Sequence, residues 1–232
     1  IILQAGPSCR AHTPISILGK MFRYLASQTK TNICCHVDHG YTLDECYEGI
    51  DSGFTSVMFD GSKLTLKENI KISKKIASRA HKYNISIEGE IGFVGYDNGK
   101  ISEGTNIEDA VTFANKSNID AMAISVGNTH LQTSKKASID FNKINLIEAK
   151  TKIPLVLHGS SGIPVEQRKK LARKTKVAKL NIGTEIRMTF GEALRKNLKN
   201  NPKTYDRLQL LKPTIKDLTK VTKKIIKQIG PN

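Results

Sequence analysis

Only six histidines occur in the 232 residues, and three of them, His39, His130 and His158, each follow a short apolar run. Neutral imidazoles converging from separate segments can hold zinc and leave a fourth position for water or substrate. A lone histidine in such a place is more often a hydrogen-bonded structural residue, but three in equivalent places with carboxylates alongside favour a metal centre. Asp38 directly precedes His39, which suits a general acid/base beside the metal, or else a carboxylate that orients the histidine. Asp60 and Glu90 follow two further apolar runs. They could hold a second cation, divalent or monovalent, or orient the imidazoles. His36 is expected to be structural and to point away from His39, and His12 and His81 to lie on helix or loop surface.

Two glycine-containing loops could bind an anion. Gly159-Ser160-Ser161-Gly162 leads to a helix expected near Pro164, and Asn181-Ile182-Gly183-Thr184 leads to one expected near Glu185. Glycines let backbone amides approach an anion, and a helix N-terminus adds partial positive charge.

The elements that must position these residues are short and repetitive. Apolar or β-branched runs predict seven strands, at Ile1 to Gln4, Asn32 to Val37, Ser56 to Phe59, Ile85 to Ile87, Ala121 to Val126, Pro154 to Leu157 and Val177 to Ile182. Amphipathic helices are predicted between them, for example at Leu43 to Ile50 and Ser73 to Lys82. Capping boxes are predicted at Thr42 with Glu45 and at Thr105 with Glu108. Near-continuous apolar strands alternating with helices imply α/β architecture around a parallel sheet. Polar residues follow nearly every strand, which favours a (β/α)8 TIM barrel over an open sheet with a single switch point. Seven units beginning on a strand look like eight with the first removed. The two glycine loops would then follow strands seven and eight, where barrels commonly bind phosphate. The expectation is one barrel domain over residues 1–232, with a helical extension from about residue 203.

Composition sets the class. Hydrophobic residues make up 38% of the chain, enough for a sizeable core, and no apolar run reaches 18 residues. The first residues lack the pattern of a signal peptide. A soluble cytoplasmic protein without membrane contact is expected. Cys9, Cys34, Cys35 and Cys46 form no CxxC pair and are expected to be reduced thiols. The formal charge is +16, with nineteen Lys/Arg against five Asp/Glu from Glu166 to Asn232. In Lys212 to Lys227 the lysines sit between apolar residues at helical intervals with no aromatic among them. A solvated helix face is therefore favoured over a nucleic-acid surface, and a basic field would also attract phosphorylated small molecules.

At these residues the sequence resembles the class II, zinc-dependent ketose-bisphosphate aldolases, which include fructose-bisphosphate and tagatose-bisphosphate aldolases. The resemblance is carried by His36-Val-Asp-His-Gly40, Gly53 to Ser62, Ile87-Glu-Gly-Glu-Ile-Gly92, Asn118 to Ala123, Val126-Gly-Asn-Thr-His130, Pro154 to Pro164 and Lys179 to Glu185, in order across most of the chain. It implies one catalytic zinc on His39, His130 and His158, and Asp38 as the acid/base for the C4 hydroxyl proton. It implies an alternative metal position at Asp60 and Glu90. It also implies that Gly159, Ser160 and Ser161, with Asn181, Ile182, Gly183 and Thr184, hold the dihydroxyacetone phosphate half of a phosphorylated sugar. Zinc would polarise the ketone and stabilise the enediolate left when the C3–C4 bond breaks. A homodimer or homotetramer is implied as well.

Four positions depart from the pattern. Leu131 follows His130 where the family has glycine, and Gly6 stands where many members have serine or threonine. Asn98 falls at the place of a catalytic loop glutamate, with Asp97 adjacent. Arg207 matches a distal-phosphate arginine without the family's intervening proline. The leading expectation is aldol cleavage of fructose or tagatose 1,6-bisphosphate. The alternatives are an aldolase for another phosphorylated ketose acid or sugar, or a catalytically weakened barrel that binds sugar phosphates or an acidic partner.

Overall fold

Valine, isoleucine and their neighbours favour a pleated, half-buried surface, and the strands form where such residues are dense. In a computed structural model describing residues 1–96, 99, 102 and 104–230, strands and helices alternate. They run β1 (Ile2–Ala5), α1 (Pro7–His12), α2 (Ile15–Ser27), β2 (Cys34–Gly40), α3 (Leu43–Asp51), β3 (Ser56–Phe59), α4 (Leu66–Lys82), β4 (Ser86–Ile91), α5 (Ile107–Ser117), β5 (Ala121–Ile124), α6 (Phe141–Lys150), β6 (Leu155–Leu157), α7 (Val165–Lys174), β7 (Val177–Leu180), α8 (Thr184–Asn200), α9 (Arg207–Leu211) and α10 (Thr214–Ile229). All seven expected strands are present, and β4 extends through Glu88-Gly89-Glu90 beyond its apolar start.

Two compact units divide the chain: residues 1–93, 103–125 and 145–155 form the first, and 94–102, 126–144 and 156–232 the second. In the first unit β1 to β5 pair in sequence order, each parallel to the next. The Met122 amide donates to the Pro154 carbonyl just before β6. Alternation sorts the side chains into two faces. Val37 and Val57 face Gly49 of α3, and Gly89 faces the ring of Phe113 on α5. Phe54, Phe59 and Phe113 are fully buried, each contributing about 1.5–3 kcal/mol of hydrophobic stabilisation. On the opposite face, His36 Nδ1 lies 2.8 Å from Ser56 Oγ and His36 Nε2 3.6 Å from Glu88 Oε2. These buried polar groups contact one another on the face that also carries Asp38, so His36 lies on the side to which the slipped register turns His39 rather than pointing away from it.

Caps agree with the sequence at one position and correct it at another. The Thr42 and Glu45 box is formed, and a second box starts α4 at Thr65 and Glu68. Thr105 is not a cap. Its buried hydroxyl donates to Ile91 O (2.7 Å) and accepts from Ser125 N (2.7 Å), so Asn106 caps α5 by accepting from Asp109 N. Closing the gap between two strand ends outcompetes capping at this threonine.

In the second unit β7 runs beside the end of β6, with Asn181 N donating to Leu157 O. Helix α7 starts directly after Pro164 and buries Arg168 and Leu171. Helix α10 packs on α7 and α8. It buries Thr214 and Ile225 while its lysines face solvent, so the basic excess is a solvated helix face there. His12 sits on α1, and exposed His81 meets Asp120 Oδ2 at 3.0 Å. The four cysteines are free thiols. No helix among the described residues is long and apolar enough to cross a membrane.

Candidate active site

Regular alternation along β2 would turn His39 toward the helices with Val37, and away from Asp38. The structure does the opposite. The pairing of β2 with β3 slips between Val37 and Gly40, and His39 adopts φ of 54°. A bulge of this kind re-aims a side chain, and the left-handed backbone costs a non-glycine residue about 1–2 kcal/mol. The displaced His39 amide donates to Sδ of Met58 at 3.4 Å. The imidazole then places Nδ1 2.9 Å from Asp60 Oδ2 and 3.8 Å from Glu90 Oε2.

Arg10 holds this bulge. Its Nη1 donates to the carbonyls of Ala5 (2.8 Å) and Asp38 (2.6 Å), and its Nη2 to that of His39 (3.0 Å). The sequence reading missed Arg10. Its only signal is position, within the helix after β1, from which a long side chain reaches back across two strand ends.

The cluster is acidic and buried. The Ser62 amide and hydroxyl donate to Asp60 Oδ1, at 3.2 and 2.7 Å. Asn69 Nδ2 of α4 donates to the Glu90 carbonyl at 2.8 Å. Gln4 Nε2 donates to Asp38 Oδ2 at 3.3 Å, and a Cβ on Gly6 would lie 3.5 Å from that same oxygen. Burial opposes charge on His39, but the Asp60 bond and the carboxylates of Asp38, Glu90 and Asp60 outweigh it and raise its pKa from 6.5 to about 9. Burial likewise opposes charge on Asp60, yet His39 and Ser62 pull its pKa down to about 2. Such a pocket favours positive charge, which a proton or a metal cation can supply. Ligand atoms of His39, Asp60 and Glu90 all lie within 4.8 Å of one another, so the donor set suits a cation. With Asp60 accepting from Nδ1, the Nε2 lone pair remains for a metal.

The second unit assembles the other predicted residues. The His130 amide donates to Gly95 O at 2.8 Å, and its ring stacks on Tyr96 with centroids 5.1 Å apart. His158 is fully buried, its ring edge-on to His130 at 5.7 Å. Asn128, buried and also missed by the sequence reading, accepts from Val126 N (2.8 Å) and donates to His158 O (3.0 Å). Gly159 has φ of 62°, and a Cβ there would sit 2.2 Å from Thr129 O. Glycine alone allows His158 and Thr129-His130 to come this close. Leu131 holds φ of 57° with its side chain 55% exposed, so it keeps a conformation natural to glycine at a cost in strain.

The anion loops differ in what they have to offer. Ser160 donates its amide to Asn181 O (3.0 Å) and its hydroxyl to Leu157 O (2.8 Å). Ser161 Oγ instead accepts from Glu185 N at 3.1 Å, an arrangement that directs its one hydroxyl hydrogen elsewhere. Asn181, Ile182 and Gly183 lead into Thr184, the first residue of α8. Asp97 and Asn98 lie outside the described residues. Arg207 is exposed at the start of α9.

Comparison with known proteins accords with this chemistry. The profile of the class-II fructose-bisphosphate aldolases matches residues 1–232. A 6-phospho-5-dehydro-2-deoxy-D-gluconate aldolase of Shouchella clausii is 36% identical over 201 residues, covering 85% of this chain and 68% of the relative. A fructose-bisphosphate aldolase of Staphylococcus aureus is 33% identical over 202 residues, covering 85% and 70%. Among crystal structures, the YdjI aldolase from Escherichia coli K12 is similar with a TM-score of 0.82 and 25% identity, over 99% of this chain and 81% of that one.

Proposed function

The chain belongs to the class II fructose-bisphosphate aldolase family, and from that premise we propose a zinc-dependent lyase that reversibly cleaves a ketose 1,6-bisphosphate, fructose or tagatose, to dihydroxyacetone phosphate and glyceraldehyde 3-phosphate. His39, His130 and His158 are the proposed zinc ligands, with Asp60 and Glu90 orienting His39 or holding a second cation. The observation that carries the proposal is the bulge at Asp38-His39, which spends backbone strain to bring an imidazole among three carboxylates.

Bound zinc would supply a Lewis acid for the substrate's ketone oxygen. Asp38 accepts the C4 hydroxyl proton as the C3–C4 bond breaks, its carboxylate oriented by Gln4 and shielded from bulk water. Ser161 donates its hydroxyl hydrogen to the phosphate, and Gly159 allows the loop to approach it. A TIM-barrel-like α/β fold belongs to the same proposal, supported by the likeness to the YdjI aldolase.

A second reading takes a 6-phospho-5-keto sugar acid as substrate, favoured by the name of the relative at 36% identity. Both substrates present a phosphate beside a ketone, and they differ in the half that leaves as an aldehyde. A cleavage assay with fructose 1,6-bisphosphate, tagatose 1,6-bisphosphate and 6-phospho-5-dehydro-2-deoxygluconate separates them. Chelator-sensitive release of dihydroxyacetone phosphate is expected from one or more. Binding without release from any of the three would contradict the lyase and leave the weakened barrel.

A further inference from the structure

Arg168, on α7, is the largest fully buried side chain of the described residues. Its Nη1 forms an ion pair with Glu185 Oε2 at 3.0 Å, and none of its three guanidinium nitrogens makes a hydrogen bond of good geometry among the described residues. The charge of this guanidinium is therefore directed at one carboxylate. Glu185 Oε2 also accepts from Lys135 Nζ at 2.9 Å. The buried arginine and the half-exposed lysine hold Glu185 ionised: burial works against its charge, but the two cations overcome it and lower its pKa.

Glu185 is the second residue of α8, and its amide contacts the hydroxyl of Ser161. Its carboxylate thus stands within one side chain's length of the loop proposed to bind phosphate. Uncompensated, that negative charge would repel a phosphate dianion through a medium of reduced dielectric. Resting on the phosphate loop of the proposed function, we propose that Arg168 is the internal counter-ion that cancels Glu185 and so makes the Gly159–Ser161 loop competent for a doubly charged phosphate. Arg168 acts through Glu185 and touches no substrate, so it is a positioning and charge-balancing residue.

The ion pair has a further consequence. A buried arginine with a single partner is costly to keep, because breaking such a pair leaves an unpaired charge inside the protein. In urea unfolding, losing either partner alone should therefore cost more stability than losing both. A residue that only fills space would not show this pattern.

Inorganic phosphate titrated calorimetrically into the full chain tests the proposal, using R168M, E185Q and R168M/E185Q. R168M leaves Glu185 paired with half-exposed Lys135 alone and should weaken phosphate binding about threefold to tenfold, the order expected when one of two cations beside the site is lost. The double variant should regain most of the loss, and E185Q alone should bind phosphate at least as tightly as the parent. In turnover of a phosphorylated ketose, R168M should raise KM and leave kcat nearly unchanged. Phosphate affinity of R168M within twofold of the parent, or a double variant as weak as R168M, would overturn the role of Arg168 while sparing the loop. A parent chain that binds no phosphate would overturn the loop and, with it, this role. Should R168M fail to fold, weaker phosphate binding by E185Q than by the parent would overturn the proposal by itself.

Discussion

The rim of the first unit and the rim of the second handle charge in opposite ways. Around His39 three carboxylates surround one imidazole, and the pocket favours positive charge. Around Ser161 the carboxylate of Glu185 is cancelled by Arg168 and Lys135, which leaves a glycine-serine loop free of uncompensated negative charge. The first arrangement suits metal and proton transfer, the second phosphate. Each rim also carries one non-glycine residue in left-handed backbone, His39 at φ 54° and Leu131 at φ 57°. At His39 the strain aims an imidazole at the carboxylates, and the bulge is held by three bonds from Arg10. At Leu131 the side chain points into solvent, so the same strain gains the fold nothing visible.

Four substitutions test that division. Asp38→Asn should lower kcat by roughly a hundredfold to ten-thousandfold, the range for a lost acid/base. Zinc content by atomic absorption and phosphate affinity should stay near parent values. A simultaneous loss of phosphate binding would erase the distinction between the rims. Gly159→Ala forces a Cβ to within 2.2 Å of the Thr129 carbonyl. It should cost roughly 2–4 kcal/mol in urea unfolding and weaken phosphate binding.

Arg10→Met removes the three bonds that pin the bulge. Zinc affinity, measured by competition with a chromogenic chelator, should fall about tenfold to a hundredfold, as for other groups that orient a ligand. Phosphate affinity should not follow it. Leu131→Gly keeps the backbone conformation and removes its strain, so the midpoint of urea unfolding should rise by the equivalent of about 1 kcal/mol. A destabilised Leu131→Gly protein would show that the exposed leucine makes contacts worth more than its strain.

Much of this was legible in the sequence because apolar runs and following polar residues mark strand ends directly. Ser56–Phe59 matches its run at both ends, and helix α7 begins where Pro164 indicated. His39, Asp60 and Glu90 are assembled as their placement suggested. The bulge was not legible: in His36-Val-Asp-His-Gly40 strict alternation sends Asp38 and His39 to opposite faces, and only the slipped register shows otherwise. Thr105 satisfies the capping pattern locally, yet its hydroxyl serves two strand ends distant in sequence. Arg10, Asn128 and Arg168 act through partners 28 or 29, 30 and 17 positions away, separations that no local pattern encodes.

The proposal stands or falls on whether one zinc needs histidines from both rims. Zinc stoichiometry of the purified chain and of His39→Ala and His158→Ala, measured after dialysis against a weak chelator, tests this most directly. The account predicts about one equivalent for the parent chain and near zero for each variant. A full equivalent retained by His158→Ala would contradict it, leaving the cation to His39, Asp60 and Glu90 alone.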